Sequence, residues 1–212
     1  MAKRFNTTGS CNPAQHYMVD TSKKLAQIEE YIEDGSYFTI NRARQFGKTT
    51  TLDLLFDRLS DRYVVIQLSF EIGDTIFNSV KDFCDGFDDK VSNAFGLTSE
   101  QVDFWRNEMK SESFEGLSAK ISAFCTEQSK PVILLVDEVD KSTDNQLFLN
   151  FLGMLRNKYL ERSRRGMNST FHSVILAGVY DVKNLKLKLR PDEERKYNSP
   201  WNIAADFNVD MT

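Results

Sequence analysis

The chain has 212 residues, 41% of them hydrophobic and 27% charged, with a net charge of −4. That balance belongs to a globular protein with room for one large core, and it excludes a chain that is basic throughout and binds nucleic acid by bulk charge. Three widely spaced cysteines and two distant histidines exclude a disulfide scaffold and a histidine-based metal site. The longest aliphatic run, 132–136, is far short of a bilayer span, and the polar start of the chain carries no export signal, so a cytoplasmic protein without a membrane partner is expected.

Residues 1–15 read as a polar arm. His16-Tyr17-Met18-Val19-Asp20 then leads into a helix over about 21–32, capped by Asp20 or Thr21, with Leu25, Ile28 and Ile32 at helical spacing. Tyr37-Phe38-Thr39-Ile40, preceded by the turn signal Asp34-Gly35-Ser36, reads as a buried strand. After it comes Arg42-Ala43-Arg44-Gln45-Phe46-Gly47-Lys48-Thr49. This is the phosphate-loop pattern with Arg42 where the first glycine normally stands. Gly47 allows close backbone approach, Lys48 supplies charge for the β- and γ-phosphates, and Thr49 offers a hydroxyl to Mg2+. Leu52, Leu55, Phe56 and Leu59 continue as a helix, whose N-terminus presents free N–H groups to an anion. A surface loop that merely contains Gly-Lys-Thr-Thr is the competing reading.

The segment 63–70 reads as a second strand and 75–127 as helical throughout, with aromatic stripes suited to packing. Cys84 and Cys125 fall in those stripes as buried thiols. Pro131 is followed by five aliphatics and then Asp137-Glu138, the pattern of a central parallel strand whose C-terminal end carries acids. Asp137 would hold Mg2+, through water, and Glu138 would orient or deprotonate an attacking water. A core strand followed by a solvated acidic turn is the bland alternative. Residues 147–159 form a strong amphipathic helix ending in Arg156, Lys158, Arg162, Arg164 and Arg165. These cations either complement the helix dipole or send one arginine to a γ-phosphate.

Residues 173–178 are another buried strand, after which Tyr180 and Asp181 stand where a phosphate sensor would sit. Val182–Arg190 alternates leucine with cations, which favours an edge strand over a phosphate-binding row. The segment 203–209 reads as a last core strand.

Five strands separated by helices predict an α/β fold, a P-loop NTPase three-layer sandwich with a parallel five-stranded sheet and a helical insertion between strands 2 and 3. The whole chain, 1–212, is read as one core domain, with 1–35 as arm and helix. The Asp-Glu pair argues against a small-molecule kinase, which gains little from a water-activating glutamate. The strand that falls between the two motifs suits ATPases in which a strand is inserted between the loop strand and the acidic strand.

His16–Asp20, the run Phe38–Thr50 with its Arg-x-Arg-x-Phe-Gly-Lys form, the strand ending Asp137-Glu138, and Ser199-Pro200-Trp201-Asn202-Ile203-Ala204 together resemble the bacterial AAA-ATPase-like proteins, relatives of the signalling ATPases of the AAA+ group. The resemblance implies an ATP-binding, Mg2+-dependent hydrolase. Arg44, Gln45, Phe46, Gly47, Lys48, Thr49 and Thr50 would cradle the nucleotide, with His16 and Tyr17 as adenine contacts. Thr49 and Asp137 would serve the metal, and Glu138 and Lys48 the catalysis. Relatives continue into a helical lid. This chain ends just after the expected last strand, so absence of the lid and weak turnover are expected. Two other functions remain open: a nucleotide-gated switch acting on a protein partner or second copy, and an ATPase stimulated by nucleic acid through the Arg156–Arg165 and Lys183–Arg190 clusters.

Overall fold

A computed structural model of the chain describes residues 3–5, 14–17, 19–41, 47–70, 74–107, 111–139, 146–165 and 170–178. The expected strand at 203–209, the sensor positions 180 and 181, the basic row 182–190 and the question of a lid lie outside the described residues, as do Arg42–Phe46.

Four strands are described: β1 (Tyr37–Asn41), β2 (Val64–Ser69), β3 (Val132–Asp137) and β4 (Ser173–Gly178). They form one parallel sheet in the order β1-β4-β3-β2. The strand inserted between the loop strand and the acidic strand is therefore β4, while β2, which separates the motifs in sequence, lies at the edge of the described sheet. β1 and β3 are two strand spacings apart, roughly 10 Å, with β4 between them.

Alternation along the strands builds two cores. Val132, Leu134 and Val136 of β3, with Val174 and Leu176 of β4, face one apolar cluster, while Ile133, Leu135, Ile175 and Ala177 face the other. The second cluster is closed by α1 (Ser22–Glu33) and α2 (Lys48–Leu59) through Leu25, Ile28, Ile32, Leu52, Leu55 and Leu59. The first is closed by α3 (Val80–Ser92), α4 (Ser99–Asn107), α5 (Phe114–Glu127) and α6 (Gln146–Arg165), in which phenylalanines dominate. This is a three-layer sandwich. Its insertion between β2 and β3 is not continuous helix: a single 3-10 turn (Asp74–Phe77) and three helices occupy it.

Local capping explains these breaks. Ser79 Oγ accepts from the Asp82 N–H at 3.1 Å, and Ser113 Oγ from the Gly116 N–H at 3.1 Å. Thr98 and Gln101 exchange bonds reciprocally ahead of α4. At α1, Thr21 makes no side-chain cap; Asp20 Oδ1 accepts from the Ser22 N–H at 2.9 Å instead.

The insertion also buries an ion pair. Lys120, 1% exposed, donates to Asp88 Oδ2 at 2.7 Å and to the Trp105 carbonyl at 2.9 Å, with its ammonium 5.3 Å from the Trp105 ring. Burial, opposed by Lys120, pushes the Asp88 carboxyl above its ordinary range. Between α5 and α6 an open groove of about 720 Å³ passes Ala119 and Gly153. Cys84 and Cys125 are buried free thiols, raised by burial to about 11 and about 12, so neither is poised as a nucleophile.

Candidate functional site

The C-terminal edge of a parallel α/β sheet is where ligands bind, and there the structure brings together the two motifs. Helix α2 begins at Lys48, two residues earlier than its apolar periodicity suggests. Gly47 is its N-cap residue, with φ 72° and ψ 26°. That left-handed conformation is open to glycine at little cost and strained for other residues. A Cβ added at Gly47 would meet nothing within 4 Å among the described residues. The first-turn N–H groups of α2 have no intrahelical acceptors, and they lie at the positive end of the helix dipole.

Thr51, which sequence reading passed over, fixes this turn. Its N–H and its Oγ1 both donate to the Gly47 carbonyl at 2.8 Å. The signal was available, because a hydroxyl four residues after the glycine can bond back along a helix.

Thr49 Oγ1 donates to Asp137 Oδ2 at 2.6 Å, across 88 positions of sequence. The other carboxylate oxygen, Asp137 Oδ1, accepts from the Glu138 N–H at 2.8 Å. Asp137 is 5% exposed and Lys48 8%, so both charges sit at the boundary of the core. Glu138 has φ 56° and is the one non-glycine residue with positive φ among the described residues. Such backbone in a residue without local steric excuse clusters at functional sites. The cause here is visible: Asp137 Oδ1 captures the next amide and turns the chain sharply out of β3. No sequence signal announces that turn, since glutamate has no preference for it.

Thr49 and Asp137 supply two hard oxygen donors side by side, which suits Mg2+, an ion that takes few protein ligands and keeps water and phosphate oxygens. Among the described residues no group of three or more His, Cys, Asp or Glu side chains is arranged for a metal, and this two-oxygen pattern does not require one.

His16 is buried, and its backbone bridges to Arg4. Tyr17 is 56% exposed and packs on Phe5 with ring centroids 4.9 Å apart. Thr50 lies in the first turn of α2. Arg44, Gln45 and Phe46 lie outside the described residues.

Two cations of the α6 basic end, Arg162 and Lys158, are held in structural contacts. Arg162 donates to the carbonyls of Phe171 (3.1 Å), His172 and Gly35 (2.7 Å), and lies 4.9 Å from the Tyr159 ring. Those carbonyls precede β1 and β4, so Arg162 sits at the N-terminal edge of the sheet. A five-residue strand, about 16 Å, separates it from the phosphate edge of its own chain. Lys158 donates to Ser118 and Ser122 on α5, and burial lowers its pKa. Neither serves as a phosphate sensor within this chain.

A parallel sheet with a glycine-led helix N-terminus facing a strand-end carboxylate defines an α/β nucleotide-binding domain of the ATPase type. A family model described as an AAA-like domain matches residues 8–188, and the chain belongs to that family. Among solved structures it is similar to the ORC2 protein of Aeropyrum pernix in ADPNP-ADP complexes, at 14% identity and TM-score 0.48, over 84% of this chain and 44% of that one. It is also similar to Drosophila ORC bound to AT-rich DNA and Cdc6, at 12% identity and TM-score 0.40, over 77% of this chain and 47% of that one. The chain spans less than half the length of either. No curated protein matches it in sequence. No helix among the described residues is long and apolar enough to cross a membrane.

Proposed function

We propose that the chain binds ATP with Mg2+ at the α2–β3 edge and hydrolyses it. The observation that carries this reading is the 2.6 Å bond between Thr49 Oγ1 and Asp137 Oδ2, which joins the two halves of a phosphate site from opposite sides of β4. The amides of the first turn of α2 and the Lys48 ammonium would bind the phosphate oxygens and offset their charge. Mg2+ would be held by Thr49 Oγ1 and, through water, by Asp137, and when bound it supplies positive charge against the β- and γ-phosphate oxygens. Glu138, carried out of the strand by its left-handed backbone, would accept a hydrogen bond from the attacking water and hold it in line.

Two substitutions test the assignment. Lys48→Ala should abolish nucleotide binding measured by calorimetry, whereas Glu138→Gln should retain binding and stop phosphate release. Equal affinity in the wild type and the Lys48 variant would overturn the site. Unchanged turnover in Glu138→Gln would remove the glutamate from the chemistry.

A further inference from the structure

The outer edge of the sheet carries a surface that nucleotide binding does not use. In the parallel register of β2 with β3, Val64 donates to the Pro131 carbonyl at 3.0 Å, so Val64, Ile66 and Leu68 bond inward. The backbone groups of Val65, Gln67 and Ser69 therefore face away from the sheet. The Ser69 carbonyl is taken by Lys90 Nζ at 2.7 Å, which closes the C-terminal end of this edge. Gln67 stays open. It lines two hollows of about 310 and 380 Å³, one toward α3 and one toward α2.

Phe95 lines both hollows as well and is 80% exposed. It is held there: its ring lies 5.5 Å from that of Phe56, and the next residue, Gly96, has φ 83° and packs so closely that a Cβ would come within 2.5 Å of Phe56 Cζ. Phe95 and Phe56 thus form a ring pair between the two hollows.

The rim is acidic on both sides. Asp53 and Asp57 stand on the α2 side and Asp89 on the α3 side. Asp53 accepts from Gln67 Nε2 at 2.9 Å, whereas Asp57 and Asp89 are exposed and form no ion pair among the described residues. Lys90 is committed to the backbone, with its pKa lowered by burial. Arg106, the cation above Asn93, is bonded to Asn93 Oδ1 at 3.2 Å.

We propose that this edge docks an extended, basic segment of a partner protein, which adds beside Gln67 as a short strand. Side chains of an added strand alternate between the two hollows, so cations on both faces meet a carboxylate, Asp57 on one side and Asp89 on the other. Long cationic stems would lie over the Phe56–Phe95 ring pair. Acidic or purely apolar segments gain neither contact.

The test uses the whole chain and a labelled short peptide of repeated Lys-Lys-Val-Thr, which places cations on both faces of a strand and carries no acid. A second peptide with those cations replaced by glutamate serves as the control. Fluorescence anisotropy at low salt should show binding of the cationic peptide alone, weakening as salt is raised. Phe95→Ala, and separately Asp57→Lys with Asp89→Lys, should each weaken binding by about tenfold or more. Nucleotide affinity should not change in any of these exposed-site variants, which separates this surface from the phosphate site. On peptide binding, the Gln67 amide should gain protection from hydrogen exchange. Absence of binding at low salt, equal binding of the acidic peptide, or equal affinity in the wild type and both variants would overturn the proposal.

Discussion

Replacing Thr49 with valine removes one hydroxyl and leaves the branched shape at the start of α2 intact. Asp137 then keeps the Glu138 N–H and loses the 2.6 Å bond to Oδ2. Hydrogen bonds to charged groups contribute about 1.5–3 kcal/mol, and because Thr49 is itself exposed, water can reach the vacated side, so the lower end, about 1.5 kcal/mol, applies. For a chain of this size that corresponds to a fall of roughly 3–6 °C in Tm without nucleotide. The larger effect appears with ATP and Mg2+. A ligand at one hundred times its Kd stabilises by about 2.7 kcal/mol, roughly 5–11 °C, and the valine variant should lose most of that increment because it lacks the hydroxyl proposed to hold the metal. Thr49→Ser should restore both quantities. Differential scanning fluorimetry with and without Mg2+-ATP measures them together. A valine variant with wild-type Tm and a wild-type nucleotide shift would refute the reasoning, since the Thr49–Asp137 contact would then serve neither stability nor binding.

Asp88→Ala should cost about 3–5 kcal/mol, because Lys120 is 1% exposed and would keep its charge with only the Trp105 carbonyl and ring as partners. Adding Lys120→Met should recover most of that loss in thermal denaturation, whereas an additive double variant would show that the pair is not coupled. The pKa of His172 is lowered by burial and by the nearby Arg162 charge, so the folded state favours the neutral ring. Its contribution is fully present above the unfolded value of about 6.5 and is lost as pH falls below it toward the lowered folded value. His172→Phe, which can keep the stack on Tyr63, should therefore narrow the Tm difference between about pH 7 and about pH 5. Gly47→Ala should weaken nucleotide binding while lowering stability by about 1 kcal/mol, since the strain lies in φ 72° and not in any clash. Unchanged calorimetric affinity would count against the phosphate cradle.

The strands were legible because burial on both faces leaves continuous aliphatic runs: 132–137 and 173–178 were placed to the residue. Their spatial order was not. Nothing in the local pattern of β2 or β4 says which lies beside the loop strand, because both are equally apolar. The insertion misled for a different reason. Periodicity sees apolar spacing across 75–127 but not the turn at Gly96, whose backbone is set by contact with Phe56. The Ser79, Thr98 and Ser113 caps were the readable signs of those breaks. Lys120 was hidden in plain view, three residues after Leu117 on the buried stripe of α5 and therefore obliged to find a carboxylate. At the site, residue types gave the chemistry, while the 2.6 Å Thr49–Asp137 contact and the left-handed Glu138 needed three dimensions.

Arg162 has a mechanical consequence. By gripping carbonyls ahead of both β1 and β4, it anchors the C-terminal end of α6 to the rear of the sheet. Helix α6, 20 residues and about 30 Å long, starts on the phosphate side and ends at that anchor. Removing the Arg162 guanidinium would therefore release three backbone carbonyls at once, and the starts of β1 and β4 would lose the fastening they share.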